Sequence, residues 1–454
     1  MDYQLLLAIL IGIIVLLVLI LRFKLQAFIA LLIAAILVGV IAGMPPLAII
    51  ESVKSGMGST LGFVAVVVGL GAMFGAILEH SGGAEALASY LLKKFGSSQT
   101  STALTLTGFF VAIPVFFDVG FIILVPLIYS LQRKTGKSLL LYGIPLLAGL
   151  AVTHAFIPPT PGPVAVADIL SADLGWVIVL GFIAGLPAAL ISGPLFGRYI
   201  AKRIHVNAPE LIEANDRTED FPGVGTVLLI IGVPIVLIVL NTILNSPIFA
   251  NLDLIILETV LWDGIDLKSW IGLIGHPFVA LIIANLVAWY VLGVRRKTDR
   301  SKLLDITTRS LGPAGIIILL TGAGGAFKQT LIDTGSGDMI AGLLGQSGMS
   351  LFLFAFILAA LVRILQGSAT VAMITAAGIV AALLNEISEI DKALLVIAIA
   401  AGASILSHVN DSGFWLVSKY LGLNEKQTFR SWTVMTTLLS LTGLAMVGLI
   451  SLFV

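Results

Sequence analysis

The sequence contains no cysteine and little charge. The absence of cysteine among 454 residues excludes disulfide bonds, thiolate nucleophiles and thiolate metal ligands. Charged residues make up 11% of the chain and hydrophobic residues 58%, whereas a soluble domain carries about 25% charged residues. Basic and acidic residues balance at 25 each, so the net charge does not favour nucleic acid as a partner. This composition predicts an all-α polytopic membrane protein.

The hydrophobic residues form segments of about 20 residues, the length that crosses a bilayer. No cleavable signal peptide is evident, because Met1-Asp2-Tyr3 lacks a basic region and the apolar run 5–21 ends without a small-residue cleavage site. We therefore interpret this run as the first of ten transmembrane helices. The ten are predicted near residues 3–21, 25–43, 60–79, 138–157, 175–197, 223–244, 276–294, 311–332, 391–409 and 431–453.

Two further apolar stretches, 101–132 and 350–385, are too long for one crossing. Asp118-Val-Gly interrupts the first stretch and Gln366-Gly-Ser interrupts the second. Non-helical backbone at membrane depth is tolerated only where it is buried in protein or faces water. Each stretch is therefore predicted to be a re-entrant hairpin with a polar tip.

Two of the crossings are predicted to be broken helices, at 138–172 and 391–421. The first contains Thr153-His-Ala-Phe-Ile-Pro-Pro-Thr-Pro-Gly-Pro163, whose four prolines lack backbone donors and clash with the preceding turn. The second contains Ser407-His-Val-Asn-Asp-Ser-Gly413, a polar cluster at the equivalent place.

The distribution of Lys and Arg predicts the orientation, because cytoplasmic loops carry an excess of positive charge. If the N-terminus is external, 20 of the 25 basic residues fall on the cytoplasmic side. Both termini are then external, and the polar segment 201–222 is a cytoplasmic linker. A location in the cell's inner membrane is expected.

An internal repeat relates the two parts of the chain on either side of this linker. Gly71-Ala72 matches Gly322-Ala323, Asp118 falls opposite Ser368, and Thr153-His154 matches Ser407-His408. The spacing stays between 250 and 254 residues. Five crossings per repeat is an odd number, so repeats 1–200 and 223–454 must have inverted topology, which is typical of secondary transporters.

Three motifs carry a resemblance to a known family. Phe116-Phe-Asp-Val-Gly-Phe121, Thr153–Pro163 and Gln366-Gly-Ser-Ala-Thr-Val-Ala372 resemble motifs of the gluconate:proton symporter family, which belongs to a wider superfamily of ion transporters. The resemblance implies uptake of gluconate, related sugar or hydroxy acids, or D-serine in one branch, usually with a proton. It also implies an elevator-type homodimer in which hairpins and broken helices move together. Thr160 stands where many members have histidine, which bears on the identity of the substrate.

The tip of the second hairpin is the candidate substrate site. A small carboxylate needs positive potential, which helix N-termini supply, and donors for its hydroxyl groups. Gln366, Gly367, Ser368 and Thr370 provide close backbone approach and polar side chains. The alternative is that Ser368 and Thr370 merely cap or pack helices, as they often do in membranes.

Asp118 is the candidate proton carrier, because an acid in the membrane needs a pocket, a partner or a proton. Asp411 is a second candidate, either completing a proton relay or capping the helix that begins near Ser412. Arg363 has three possible roles: it neutralises the substrate, pairs with Asp118, or extends towards the interface.

Five further residues complete the predicted substrate-binding set. They are Thr153, His154, Thr160, His408 and Asn410. Each histidine either takes part in binding and proton transfer or holds a broken helix together. The remaining histidines lie at span ends or in loops, so neither a metal site nor a cofactor is expected.

The favoured function is proton-coupled symport of a small sugar acid by alternating access. Sodium coupling remains open, because unwound backbone can coordinate Na⁺. An intramembrane hydrolase is a remote alternative, since it requires a nucleophile with an oriented base and the sequence has no Gly-x-Ser-x-Gly or His-Glu-x-x-His pattern.

Overall fold

The structure is a computed structural model of the whole chain. It describes residues 3–96, 99–209, 221–245, 260–262, 265–335, 349–384 and 387–453. Within these ranges almost all residues are helical, which confirms the predicted all-α membrane fold. Residues 210–220 of the predicted linker, and the end of the predicted hairpin at residue 385, lie outside the described residues.

The first half of the chain contains ten helices in its described residues. They are α1 (Tyr3–Leu21), α2 (Ala27–Ile41), α3 (Pro46–His80), α4 (Gly83–Phe95), α5 (Thr100–Val111), α6 (Phe117–Thr135), α7 (Leu140–Phe156), α8 (Pro161–Ile169), α9 (Leu174–Leu190) and α10 (Phe196–Ala201). A π-helical turn joins α9 to α10.

The described residues of the second half add a short antiparallel β pair and ten more helices. The strands are β1 (Val260–Trp262) and β2 (Ile265–Asp266). The helices are α11 (Val224–Asn245), α12 (Leu267–Gly275), α13 (Pro277–Ala288), α14 (Arg300–Asp333), α15 (Leu351–Gln366), α16 (Ala369–Ala381), α17 (Glu389–Ala403), α18 (Ser412–Leu421), α19 (Glu425–Thr428) and α20 (Val434–Ile450).

Seven continuous segments in the described residues are long and apolar enough to cross a membrane. They are Pro46–His80, Leu140–Ile169, Leu174–Ala201, Val224–Asn245, Pro277–Arg296, Arg300–Asp333 and Glu425–Ile450. Shorter apolar helices include the two at the N-terminus and three of the four hairpin helices. The chain is therefore a multi-pass membrane protein.

Helices α3 and α14 differ from their predicted extent. The predicted spans 60–79 and 311–332 are only the later parts of continuous helices of 35 and 34 residues. Each predicted span began too late because of the polar residues in the first part of each helix. Their charges are compatible with helix because they pair along it, as Lys54 does with Glu51 and Arg309 with Asp305.

Each region predicted to be a re-entrant hairpin or a broken helix contains two helices, while its path through the membrane stays a prediction. The first hairpin is α5–α6, and the second is α15–α16 with Gly367 and Ser368 between its helices. The first break separates α7 from α8, and the second separates α17 from α18. The inverted relation of the two halves stays a prediction.

Each hairpin packs closely against the broken helix of its own half. A Cβ added at Gly149 on α7 would lie 2.1 Å from the carbonyl oxygen of Thr105 on α5. A Cβ added at Gly402 on α17 would lie 2.3 Å from the carbonyl oxygen of Phe356 on α15. The two contacts occur at matching positions of the proposed repeat, and both require glycine.

Gly149→Ala and Gly402→Ala should each lower the thermal unfolding midpoint in detergent by several degrees. Overpacking of this kind costs about 1–3 kcal/mol, because the obstructing atom belongs to backbone. Gly62→Ala on α3 is the control, since its Cβ meets nothing within 4 Å and alanine favours helix. A midpoint for Gly149→Ala equal to that of Gly62→Ala would contradict the close approach.

Candidate functional site

Both hairpin tips, the second helix break and the last turns of α7 meet around one cavity of about 620 Å³. From the first half, Phe116, Asp118 and His154 line it. From the second half, residues on both sides of the α15–α16 turn and of the α17–α18 break line it. The cavity therefore brings together the interrupted segments that lie far apart in sequence.

Three helices begin at this cavity. The first residues of α6, α16 and α18 are Phe117, Ala369 and Ser412, and all three line it. A helix N-terminus carries the equivalent of about half a positive charge. Asp118 in the first turn of α6 and Asp411 at the N-cap of α18 offset two of these charges. The first turn of α16 contains no acidic residue, so its positive end is free to attract an anion.

The strongest interaction at the cavity is a buried ion pair between Arg363 and Asp411. The Arg363 guanidinium donates to the Asp411 carboxylate and also to the carbonyl oxygen of Gly367. Arg363 is 5% exposed and Asp411 9% exposed. Arg363 therefore pairs with Asp411 in this structure and not with Asp118, which was one of the roles considered from the sequence.

Asp411 also caps the second half of the broken helix. Its Oδ1 accepts from the backbone N–H of Gly413 at 3.0 Å, and its Oδ2 accepts from the Ser407 hydroxyl. Of the roles expected for Asp411, capping is thus observed, while proton coupling stays a prediction. Arg363 was not among the predicted site residues. Its position, a single cation three residues before the polar tip at Gln366, was the signal in the sequence that could have placed it there.

The second tip is held by side chains from the second break. Gly367 has φ +88°, and a Cβ there would lie 2.3 Å from the carbonyl oxygen of Asn410, so both its conformation and its surroundings require glycine. The Asn410 amide donates to the carbonyl of Ile364 at 3.0 Å. His408 Nε2 lies 2.8 Å from the same carbonyl. Because a carbonyl only accepts, Nε2 carries the proton in this contact.

The turn itself is stabilised by its own polar residues. Gln366 Oε1 accepts from the backbone N–H of Ser368 at 2.8 Å, and Ser368 Oγ accepts from that of Val371 at 3.3 Å. Ser368 is thus the N-cap of α16, as the structural alternative held. Gln366, Gly367, Ser368 and Thr370 all line the cavity.

In the first half, Asp118 and His154 both line the cavity but differ in how far they are buried. The Asp118 side chain is exposed to the cavity and has no ion-pair or hydrogen-bond partner among the described residues. His154 is half-buried, and its ring packs edge-on against Phe116 with centroids 6.2 Å apart. Within the described part of the chain its Nδ1 has no hydrogen-bond partner, so this buried atom is available to form a hydrogen bond with a ligand.

Three predicted residues do not line the cavity. Thr153 is fully buried in α7. Thr160 donates to the carbonyl of Ile157 at 2.6 Å and lines a separate small cavity beside Pro159. His408 points to the end of α15 instead. Direct contact of these three side chains with a substrate is not favoured by the structure.

The predicted residues that do share the cavity are eight in number. They are Asp118, His154, Gln366, Gly367, Ser368, Thr370, Asn410 and Asp411. Among the described residues, no group of three His, Asp or Glu side chains lies close enough to hold a metal ion. The roles of the eight residues in transport stay predictions.

A cavity lined by two hairpin tips and a broken helix, inside a multi-pass membrane protein, indicates a membrane transporter. The model of the GntP family permease matches residues 4–453. The chain belongs to this family, whose members are permeases and not enzymes.

Curated relatives match over nearly the full length. A gluconate permease of Pseudomonas aeruginosa is 43% identical, over 99% of this chain and 98% of its own. A low-affinity gluconate transporter of Escherichia coli is 40% identical over 94% of both chains. The L-idonate transporter of the Escherichia coli Gnt-II system is 37% identical over 97% of both. These matches confirm the family resemblance predicted from the three motifs.

One solved structure shares the fold at low sequence identity. The YdaH transporter of Alcanivorax borkumensis, described as having an unusual topology, aligns with a TM-score of 0.60. The alignment covers 90% of this chain and 89% of that one at 16% identity. At this identity the likeness concerns the fold alone.

Arg363→Gln and Asp411→Asn should each lower the unfolding midpoint in detergent strongly, whereas the double variant should be less damaged than the sum of the two. Breaking a buried pair leaves an uncompensated charge that costs about 3–5 kcal/mol, and the double variant leaves none. The exposed pair Lys54 and Glu51 is the control, since such pairs contribute about 0–1 kcal/mol. Additive losses at Arg363 and Asp411 would contradict the ion pair.

Proposed function

We propose that this protein takes up gluconate, or a closely related sugar acid or hydroxy acid, together with a proton by alternating access. The observation that carries the proposal is the cavity in which Asp118 and the N-terminus of α16 both take part. The names of the full-length relatives support gluconate as the first substrate to test. The volume of about 620 Å³ is typical of small-molecule sites.

The substrate carboxylate is placed at the second tip. The N–H groups of the first turn of α16 have no partner within the helix, and they carry its positive potential. Ser368 and Thr370 add hydroxyl groups at the same turn, and Gln366 and Asn410 add amides along the wall. A polyhydroxy acid matches this combination of one anion site with several neutral donors and acceptors.

The charges of the cavity supply a reason for proton coupling. Its charged side chains are Asp118, Arg363 and Asp411, of which the last two neutralise each other. When Asp118 is ionised, the side chains of the cavity therefore carry one unpaired negative charge, which repels an anionic substrate. For charges about 8 Å apart in an effective dielectric of about 20, this repulsion is roughly 2 kcal/mol. A proton on Asp118 removes it, so substrate and proton each favour binding of the other.

The movement we propose is that of an elevator. The two hairpins and two broken helices form the moving part, in two inverted repeats, and the protein acts as a homodimer in the inner membrane with both termini external. The close glycine contacts between α5 and α7 and between α15 and α17 support this grouping, because such tightly packed elements move together. The excess of Lys and Arg in the loops assigned to the cytoplasm supports the orientation.

Purified protein in liposomes should accumulate radiolabelled gluconate when the outside is made acidic, and a sodium gradient alone should not replace the proton gradient. Accumulation driven by sodium at equal pH would establish the alternative coupling ion. Absence of gluconate uptake under either gradient, with uptake of D-serine or a shorter hydroxy acid, would contradict the substrate.

Asp118→Asn should abolish proton-driven accumulation but retain exchange of labelled for unlabelled gluconate across the membrane. The amide keeps the shape of the side chain but cannot carry the proton, and exchange requires no net proton movement. Asp305→Asn, an exposed acid on α14 paired with Arg309, is the control and should accumulate gluconate normally. Intact accumulation in Asp118→Asn would remove Asp118 from the coupling mechanism.

Ser368→Ala combined with Thr370→Val should raise the KM for gluconate about tenfold, because each lost hydrogen bond costs about 0.5–1.5 kcal/mol. Thr442→Val on α20 is the matched control, since Thr442 bonds within its own helix and does not line the cavity. An unchanged KM in the double variant would assign the second tip a structural role only.

A further inference from the structure

Trp432 connects the two halves of the cavity. It lies in the π-helical turn Phe429–Thr433 that precedes α20, is 3% exposed, and lines the cavity. Such turns are frequent at functional sites. The indole ring packs against the ring of Phe117, with centroids 5.5 Å apart, and Phe117 is the residue before Asp118. Its Nε1 donates to the hydroxyl of Ser407 at 2.6 Å.

This bond sets the direction of a chain of hydrogen bonds. An indole nitrogen only donates, so the oxygen of Ser407 accepts from Trp432. The single hydroxyl proton of Ser407 is then donated to Oδ2 of Asp411. The same Oδ2 accepts from Arg363, whose other terminal nitrogen donates to the carbonyl of Gly367. The chain therefore runs from Trp432 to the turn in front of α16.

The backbone of Ser407 is held independently of Trp432. Its N–H donates to the hydroxyl of Thr436 at 3.2 Å, and its carbonyl accepts from the hydroxyl of Thr433. Loss of the indole N–H thus frees only the Ser407 side chain to rotate. A buried network that is partly satisfied loses rigidity beyond the single missing bond.

We propose that Trp432 is a positioning residue: through Ser407, Asp411 and Arg363 it holds the second tip in its substrate-binding conformation, and through Phe117 it ties that tip to the turn that carries Asp118. The inference rests on the proposed function for its effect on transport. Trp432 acts on the substrate through other residues, so its removal changes affinity more than the maximal rate.

Trp432→Phe keeps an aromatic ring against Phe117 but lacks the N–H, and Ser407→Ala lacks the hydroxyl that receives it. Each variant should raise the KM for gluconate about three- to tenfold, the effect of one lost hydrogen bond, with a maximal rate close to that of the wild type. Because both changes break the same chain, the double variant should resemble the single ones. Equal KM in Trp432→Phe and wild type, or effects that multiply in the double variant, would overturn the proposal.

Trp415→Phe is the matched control. Trp415 also donates from Nε1, to the carbonyl of Val409 at 2.8 Å, but it is 45% exposed and has no bond to the chain described above. Its replacement should leave the KM unchanged. A rise in KM equal to that of Trp432→Phe would show a general effect of losing a tryptophan and would overturn the inference.

A second measurement reports the second tip without any substrate. Because the protein has no cysteine, Thr370→Cys introduces a single thiol on the tip. The rate of its modification by a soluble thiol reagent should change several-fold when Trp432→Phe or Ser407→Ala is added, and should not change with Trp415→Phe.

If wild-type protein does not transport gluconate, the proposed function fails, and this rate of thiol modification still decides the role of Trp432. If Trp432→Phe does not fold, the rate of thiol modification in Ser407→Ala tests the role of Trp432. A modification rate equal to that of the protein carrying Thr370→Cys alone would overturn the proposal.

Discussion

A helix that breaks inside a membrane leaves backbone groups that water cannot reach, and the second half of this protein satisfies them with side chains from a neighbouring break. The end of α15 receives donors from His408 and Asn410 of that break, and Arg363 of α15 itself donates to the carbonyl of Gly367 in the turn. The charge that this introduces is matched by Asp411, which in turn caps α18. Tip and break are therefore interdependent, since each supplies the polar groups that the other lacks.

The first half meets the same constraint by a different route. Its break contains Pro158, Pro159, Pro161 and Pro163, which have no backbone donor to satisfy, and Thr160 bonds to the nearby carbonyl of Ile157. This break needs no buried ion pair. Asp118, in the hairpin of this half, has no partner among the described residues, whereas the acid of the second half is engaged on both oxygens. The two halves share an arrangement of helices but differ in which charges remain available.

Local sequence patterns predicted where most helices lie and where paired helices are interrupted, because hydropathy, proline and isolated polar residues act within a few positions. They were not sufficient to predict which side chains face the cavity. Neighbouring residues on a helix point about 100° apart, so Thr153 turns into the protein while His154 lines the cavity. The pairing of Arg363 with Asp411 joins residues 48 positions apart, and no local pattern selected it over Asp118.

The buried ion pair also bears on which acid carries the proton in the proposed mechanism. Protonation of Asp411 would leave the guanidinium of Arg363 buried without its counter-charge, and breaking such a pair costs about 3–5 kcal/mol. Protonation of Asp118 breaks no ion pair and removes a charge that repels the substrate. Both acids line one cavity, so protonation of either one would change the charge that a bound anion meets. The difference in their partners therefore favours Asp118 as the proton carrier and Asp411 as the fixed counter-charge that keeps the second tip in place.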